Sequence, residues 1–376
     1  MKKYAIAFAA LLIGSIALAC NVPVFRYALE RWLPDPYEVI VFHQGPLTKA
    51  DQELIQRLSD AEDQGRGNLR LHLADVEKLD KPLAELYRGQ QNVQLPWLAV
   101  RYPEHFGNDE LVWAGRFDSS AVTMLLHSPA RQEIARRLTA GHSAVWLLLE
   151  SGDARQDDAA ARLIEAKLKE LPNVLKLPDL TDNPEDKLLA NQPLKIDFSL
   201  LRLKHADPAE RFLTSLLLKS EDDLVLRNDP PTAASVLGLL GSPSPWAGLA
   251  GTASQKIRVE PMLFPVFGRG RSLFAWIGKG ITADHIEEDA RFLIGPCSCT
   301  VKRMNPGFDL LFTAEWEAML GGKLATEKPK EPELMSLSSL GKPPAKSDNL
   351  QSQAKAVPPM TAPPTPAAPA SSAPAA

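Results

Sequence analysis

The sequence predicts an α/β protein in which one strand-and-helix pattern is used twice, with an export signal before it and an unstructured tail after it. Three observations predict this. Short apolar, β-branched runs alternate with amphipathic stretches through residues 34–320. A proline, a Trp-bearing strand and a helix recur at similar spacing in both halves. Composition also shifts at both ends, apolar before Cys20 and rich in Pro and Ala after residue 320. A length of 376 residues allows two or three domains. Hydrophobic residues at 45% and charged residues at 23% exclude a wholly disordered or collagen-like chain. Only one apolar run is long enough to matter, which excludes a polytopic membrane protein. The net charge is −4 and no basic stripe stands out, which argues against nucleic acid as a partner.

Residues 1–3 are positive, residues 4–19 are apolar or small, and Ala19 is followed by Cys20. This is the layout of a cleaved secretory signal over residues 1–19. The apolar run of 16 residues is shorter than the ~20 that span a bilayer as a helix. With its cysteine directly after Ala19, the segment resembles a bacterial lipoprotein signal, although Ala17 stands where that family prefers Leu. The resemblance implies lipidation of Cys20, a cell-envelope location and membrane lipid as a partner. Asn21 after the cysteine favours the periplasmic face of the outer membrane by the same resemblance. A plain cleaved signal and an uncleaved anchor are the alternatives.

Residues 20–33 form the anchor and a short helix. Phe25, Leu29 and Trp32 recur at helical spacing, with Arg26, Glu30 and Arg31 on the other side. Such a helix packs on the first domain or lies on the membrane beside the lipid. Pro34 and Pro36 then punctuate the chain.

In residues 34–141, strands are read at 37–43 (YEVIVFH), 68–73, 96–102 and 111–117. Helices are read at 48–60, 82–88 and 119–138, the last interrupted at Pro129. The order is strand, helix, strand, helix, strand, strand, helix, with Pro96 opening the third strand. This resembles the thioredoxin fold, in which such a proline has a cis peptide bond and faces the active site. That family begins its first long helix with CxxC; here the place holds His43, Gln44, Gly45 and Pro46. The departure removes thiol exchange from the usual site and leaves His43 and Pro96 as candidate binding residues.

A second copy, with an insertion, is read over residues 142–320. Strands fall at 143–151, 194–203, 261–267 and 273–278, and helices at 159–171, 207–218, 235–240 and 284–293. A turn is read at 228–231, a loop at 241–251 and a closing strand at 308–312. Pro96 precedes Trp113 by 17 residues and Pro261 precedes Trp276 by 15, so Pro261 is the matching candidate. The expected fold is therefore α/β with two tandem thioredoxin-like domains; a single larger α/β protein is the alternative. Residues 321–376 read as a disordered, partly polyproline tail, solvated or acting as a docking segment, because they cannot bury enough apolar surface to order themselves.

Cys297 and Cys299 are the sharpest chemical feature. Two cysteines two residues apart permit a tight local disulfide, a redox or partner-bonding pair, part of a metal site, or two buried thiols. No nearby Cys or His completes a metal set. The stretch 297–312 is similar to one in uncharacterised bacterial envelope lipoproteins, which implies no activity. No HExxH, GxSxG, Walker or helix-opening GxGxxG pattern occurs, so neither a metal nor a cofactor is expected. The run from Gly268 to Arg271 (GRGR) reads as an exposed hairpin turn rather than an anion site. Asp157, Asp158, Glu287, Glu288 and Asp289 read as solvated or helix-start charges. These readings favour a lipid-anchored, non-catalytic binding or assembly component of an envelope or transport complex, with an unknown envelope protein as partner. The alternatives are a periplasmic thiol oxidoreductase using Cys297 and Cys299, and a solute-binding lipoprotein of a transporter.

Overall fold

The structure is a computed structural model that describes residues 20–91, 93–107, 110–220, 260–297 and 300–321. The signal segment 1–19, the elements read between 228 and 251, Ser298 and Cys299, and the tail from residue 322 lie outside the described residues.

The chain folds into a mixed α/β architecture with two sheets. Helix α1 (Val24–Arg31) leads into β1 (Tyr37–His43), α2 (Lys49–Asp63), β2 (Leu69–Asp75), α3 (Lys81–Arg88), β3 (Trp97–Arg101), β4 (Leu111–Arg116), α4 (Ser119–Leu126) and α5 (Pro129–Thr139). Sheet order is β2-β1-β3-β4; β2 runs parallel to β1, and β3 and β4 are antiparallel to their neighbours. The central strand β1 is apolar nearly throughout because both its faces are covered. Thr48 and Asp51 form a reciprocal capping box that starts α2. The predicted break at Pro129 is real: α4 ends at Leu126, and Ser128 caps α5 by accepting from Arg131 N.

The pattern returns in β5 (Ala144–Glu150), α6 (Ala154–Val174), β6 (Phe198–Lys204), α7 (Arg211–Leu218), β7 (Met262–Phe267), β8 (Arg271–Ser272), β9 (Trp276–Ile277), α8 (Ala283–Ile294), β10 (Phe308–Asp309) and α9 (Trp316–Leu320). Its order is β10-β8-β7-β5-β6, with β9 also pairing β7. Here too the second strand is parallel to the first and the third antiparallel to it.

The strand read at 273–278 is split in two. Pro265 of β7 turns its carbonyl toward this strand, where it accepts from Leu273 N, but it has no N–H to return. The ladder therefore stops between β8 and β9, and Phe274 is expelled to 47% exposure. The strand read at 308–312 also shortens to two residues. Beyond Asp309 the chain crosses to the first sheet, where Asn68 N donates to Phe312 O and Phe312 N donates to Asn68 Oδ1. One core cluster consequently includes β1, β3 and α4 side chains together with Leu310, Leu311, Phe312 and Trp316.

Helix α1 corrects two expectations. It packs against β7 and α8 of the second half rather than the first, and its apolar stripe is used up inside the protein rather than facing a membrane. Its polar side is buried as well. Arg26 and Glu30 form an ion pair at 2.6 Å; Arg26 donates to the carbonyls of Ala190 and Gln192, and Glu30 accepts from Leu189 N and Ala190 N. Burial of these charges is tolerated because each has several fixed partners. The GRGR turn is likewise buried rather than exposed. Arg269 donates to the Leu29 and Glu30 carbonyls at the end of α1, and Gly270 has φ +92 with Phe312 where a Cβ would stand.

Candidate functional site

Four places were marked by the sequence or emerge from the fold. The first is the start of α2. His43 ends β1, and Phe42 pairs with Trp97, so Pro96 stands abreast of His43. The Leu95–Pro96 bond is cis. His43 Nδ1 lies 2.9 Å from Gly45 O, and Gln44 donates to Glu77, leaving an exposed polar loop without a thiol. Behind it Phe42 stacks on Tyr87 and Trp97.

The equivalent place in the second half follows β5. Leu149 pairs with Met262, which puts Pro261 abreast of Glu150, in a trans linkage. Pro96 O accepts from Phe117 N at 2.9 Å and Pro261 O from Gly278 N at 2.8 Å, so both prolines close the return strand in the same way. The turn there is Ser151, Gly152 and Asp153. Asp157, in the first turn of α6, is a helix-start charge rather than a solvated one: it is buried beneath the turn, accepting from Ser151 N, Ser151 Oγ and Gly152 N.

The third place holds the cysteines. Pro23 bridges Pro296, and Cys297 N donates to Val22 O at 2.9 Å, which brings both ends of the body together. Cys297 is fully buried, and Cys20 is buried with Sγ donating to Glu185 O at 3.3 Å. Burial pushes the Cys20 thiol up, away from the thiolate form. The indole of Trp276 on β9 stacks on His285 of α8 with ring centroids 3.8 Å apart and donates to Asp289 at 2.7 Å. Burial pushes Asp289 up to about 6, with Glu288 adding to the effect and the Trp276 bond opposing it. Asp289 is thus no simple surface charge either. Glu287 binds Lys167 and Arg291, whose bonds hold its carboxyl below the usual range.

The fourth place was not read from the sequence. A cavity of about 850 Å³ opens between the β3–β4 connection and the segment 302–309. Its wall is a ladder of rings running outward. Tyr37 and Tyr102 are 5.8 Å apart, Tyr102 and Phe106 4.9 Å, Phe106 and Phe308 5.3 Å, and Phe308 and Phe274 6.4 Å. The inner hydroxyls are spent, since Tyr37 donates to Asp309 O and Tyr102 to Leu216 O. Burial pushes the Tyr37 phenol well above its ordinary value.

The cavity floor is charged and internally paired. Lys302 donates to Leu33 O, and its ammonium also meets Asp35 at 2.7 Å and Asp309. Arg271 donates to the carbonyls of Asn305, Pro306 and Gly307 and meets Asp309 at 3.4 Å. Asp309 also accepts from Asp35 N. Each charge here is matched by another, so none is held in reserve as an acid, base or counter-ion. Among the described residues, no cluster of three or more His, Cys, Asp or Glu could hold a metal ion. No helix among them is long and apolar enough to cross a membrane. Only the exposed ring of Phe274 had a sequence signal, Pro265 within an otherwise apolar strand.

No protein-family model matches the chain, and no curated protein matches it. Among solved structures, the chain is similar to the first two thioredoxin domains of Eps1p from Naumovozyma dairenensis. Identity is 10%, coverage is 69% of this chain and 91% of that one, and the TM-score is 0.17.

Proposed function

We propose that the protein is a lipid-anchored envelope component made of two thioredoxin-like halves, and that it binds a partner without catalysing a reaction. The cavity with its wall of aromatic rings is the binding site in this reading. The twofold use of one strand order, with Pro96 and Pro261 at matching positions, supports the thioredoxin-like halves. The absence of cysteine at the starts of both α2 and α6 supports binding over thiol chemistry. The observation that carries the proposal is the cavity itself: the exposed ring of Phe274 and the half-buried ring of Phe106 line it with the buried Tyr37, Tyr102 and Phe308 behind them, whereas its Lys302, Arg271, Asp35 and Asp309 charges are committed to one another. Acyl chains on Cys20 would hold the body against the bilayer with little spacer, because Pro23 already bridges to Pro296, and they require the Cys20 sulfur to leave its buried contact with Glu185 O. The partner is then an envelope protein, within a membrane or transport complex, and nucleic acid is not among the partners.

A photo-crosslinking phenylalanine analogue in place of Phe274, in the native cell, tests this. A reproducible covalent adduct to one envelope protein is expected. Irradiation that yields only uncrosslinked chain would sink the binding reading. Mass spectrometry of the mature protein tests the anchor separately, since acylation adds a diagnostic mass at Cys20.

A solute-binding role is the second reading, supported by a cavity volume within the ~300–1,000 Å³ of small-molecule sites. It predicts ligand-dependent thermal stabilisation.

A further inference from the structure

We propose that the occupant of the cavity is an uncharged, proline-rich segment of the partner protein, lying extended across the half-buried ring of Phe106 and the exposed ring of Phe274. The inference rests on the binding reading above and names the kind of partner.

Charge is the first argument. The lining contains Asp35, Glu110 and Asp309 against Arg271, Lys302 and Arg303, a balance of three to three. The three protons of Lys302 go to Leu33 O, Asp35 and Asp309, and Arg271 spends its donors on three carbonyls and Asp309. A charged segment would lose its water and find Lys302, Arg271, Asp35 and Asp309 already neutralised by one another.

Hydrogen bonding is the second argument. A sugar or an ordinary peptide carries many donors, and each one buried without a partner is costly. Proline has no N–H, and a polyproline II segment makes no internal hydrogen bonds, keeps its carbonyls toward water and loses little entropy on docking. Aromatic-lined grooves suit this conformation for that reason. The ladder ends in Phe274, which the proline of β7 holds out at 47% exposure, and Met304, between lining residues Arg303 and Asn305, is 74% exposed.

The sheet edges offer little competition. Glu62 accepts from Leu71 N at the outer edge of β2, and Arg137 donates to Leu200 O on β6. Both side chains interrupt the backbone rows that an added strand would need.

The test titrates the full chain with a synthetic peptide of repeating Ala-Pro-Pro units, followed by calorimetry. An uncharged Gly/Ser peptide of equal length and a neutral oligosaccharide serve as comparisons. Saturable binding of the proline peptide alone is expected, weakened about 10-fold or more by Phe274→Ser and within about twofold of wild type in Arg162→Gln, an exposed position of α6 outside the cavity lining. If Phe274→Ser disturbs the fold, Phe274→Leu replaces it, since it stays apolar but has no ring. Equal binding of the Gly/Ser peptide, or indifference to both Phe274 variants, overturns the proposal. Binding of the oligosaccharide alone overturns the proline-rich occupant and leaves the cavity a binding site. If no probe binds while the residue-274 crosslink still captures a partner, only the peptide class is wrong. If both experiments fail, the binding reading falls with it.

Discussion

Asp289→Asn should stabilise the protein at neutral pH and leave it unchanged below pH 3.8. Burial lifts the Asp289 carboxyl from 3.8 to about 6. Each pH unit between folded and unfolded values is worth ~1.36 kcal/mol, which sets an upper bound of about 3 kcal/mol. Part of the side chain meets solvent, so about 1–2 kcal/mol is the expected effect. The sign follows from which state holds the proton. Between 3.8 and about 6 the folded protein keeps a proton that the unfolded chain has released. Stability from this group is therefore complete below 3.8, declines as pH rises through the interval, and is fully lost above about 6. Asparagine never ionises, and its carbonyl oxygen can still accept from the Trp276 indole. Urea unfolding of both proteins, followed by tryptophan fluorescence from mild acid to weak base, isolates this one titration as a difference curve. The variant should gain on the wild type as pH rises and hold a constant lead above about 6. A difference independent of pH, or one that shrinks as pH rises, would refute the reasoning.

Arg131 donates to the carbonyls of Met124, Leu125 and Leu311 from a fully buried position, and Arg131→Met should cost about 3–5 kcal/mol in chemical denaturation, with Arg131→Lys in between. Gly270→Ala meets both a positive φ and the ring of Phe312, so a loss of about 2–4 kcal/mol and a lower melting temperature are expected. Cys297 has no exposed surface; its alkylation, read by peptide mass spectrometry, should be negligible in the folded protein and complete in denaturant. Rapid native alkylation would favour the thiol-exchange reading instead.

Local chemistry made much of the fold legible. The β-branched run 37–43 became β1 with those bounds, and Ser128 with Pro129 marked the boundary between α4 and α5. What stayed hidden depends on backbone partners remote in sequence. Arg26, Arg269 and Arg271 read as surface charges because nothing nearby announces the carbonyls that bury them. The amphipathic pattern of α1 was correct as a pattern but could not tell which half it covers. The cavity is formed by segments that are distant in the chain, such as those of Tyr37, Tyr102 and Phe308, so no single stretch of sequence carries its signature.

The crossing of the segment after Asp309 onto Asn68 has a consequence for how the protein is made. Asn68 is joined to residues 242 and 244 positions further along. At a synthesis rate of about 5–20 residues per second, the edge of the first sheet waits roughly 10–50 s for those partners to leave the ribosome. Until they do, Asn68 lacks the Leu310 and Phe312 backbone groups that it binds, so the outer end of β2 closes only after most of the second half has been made.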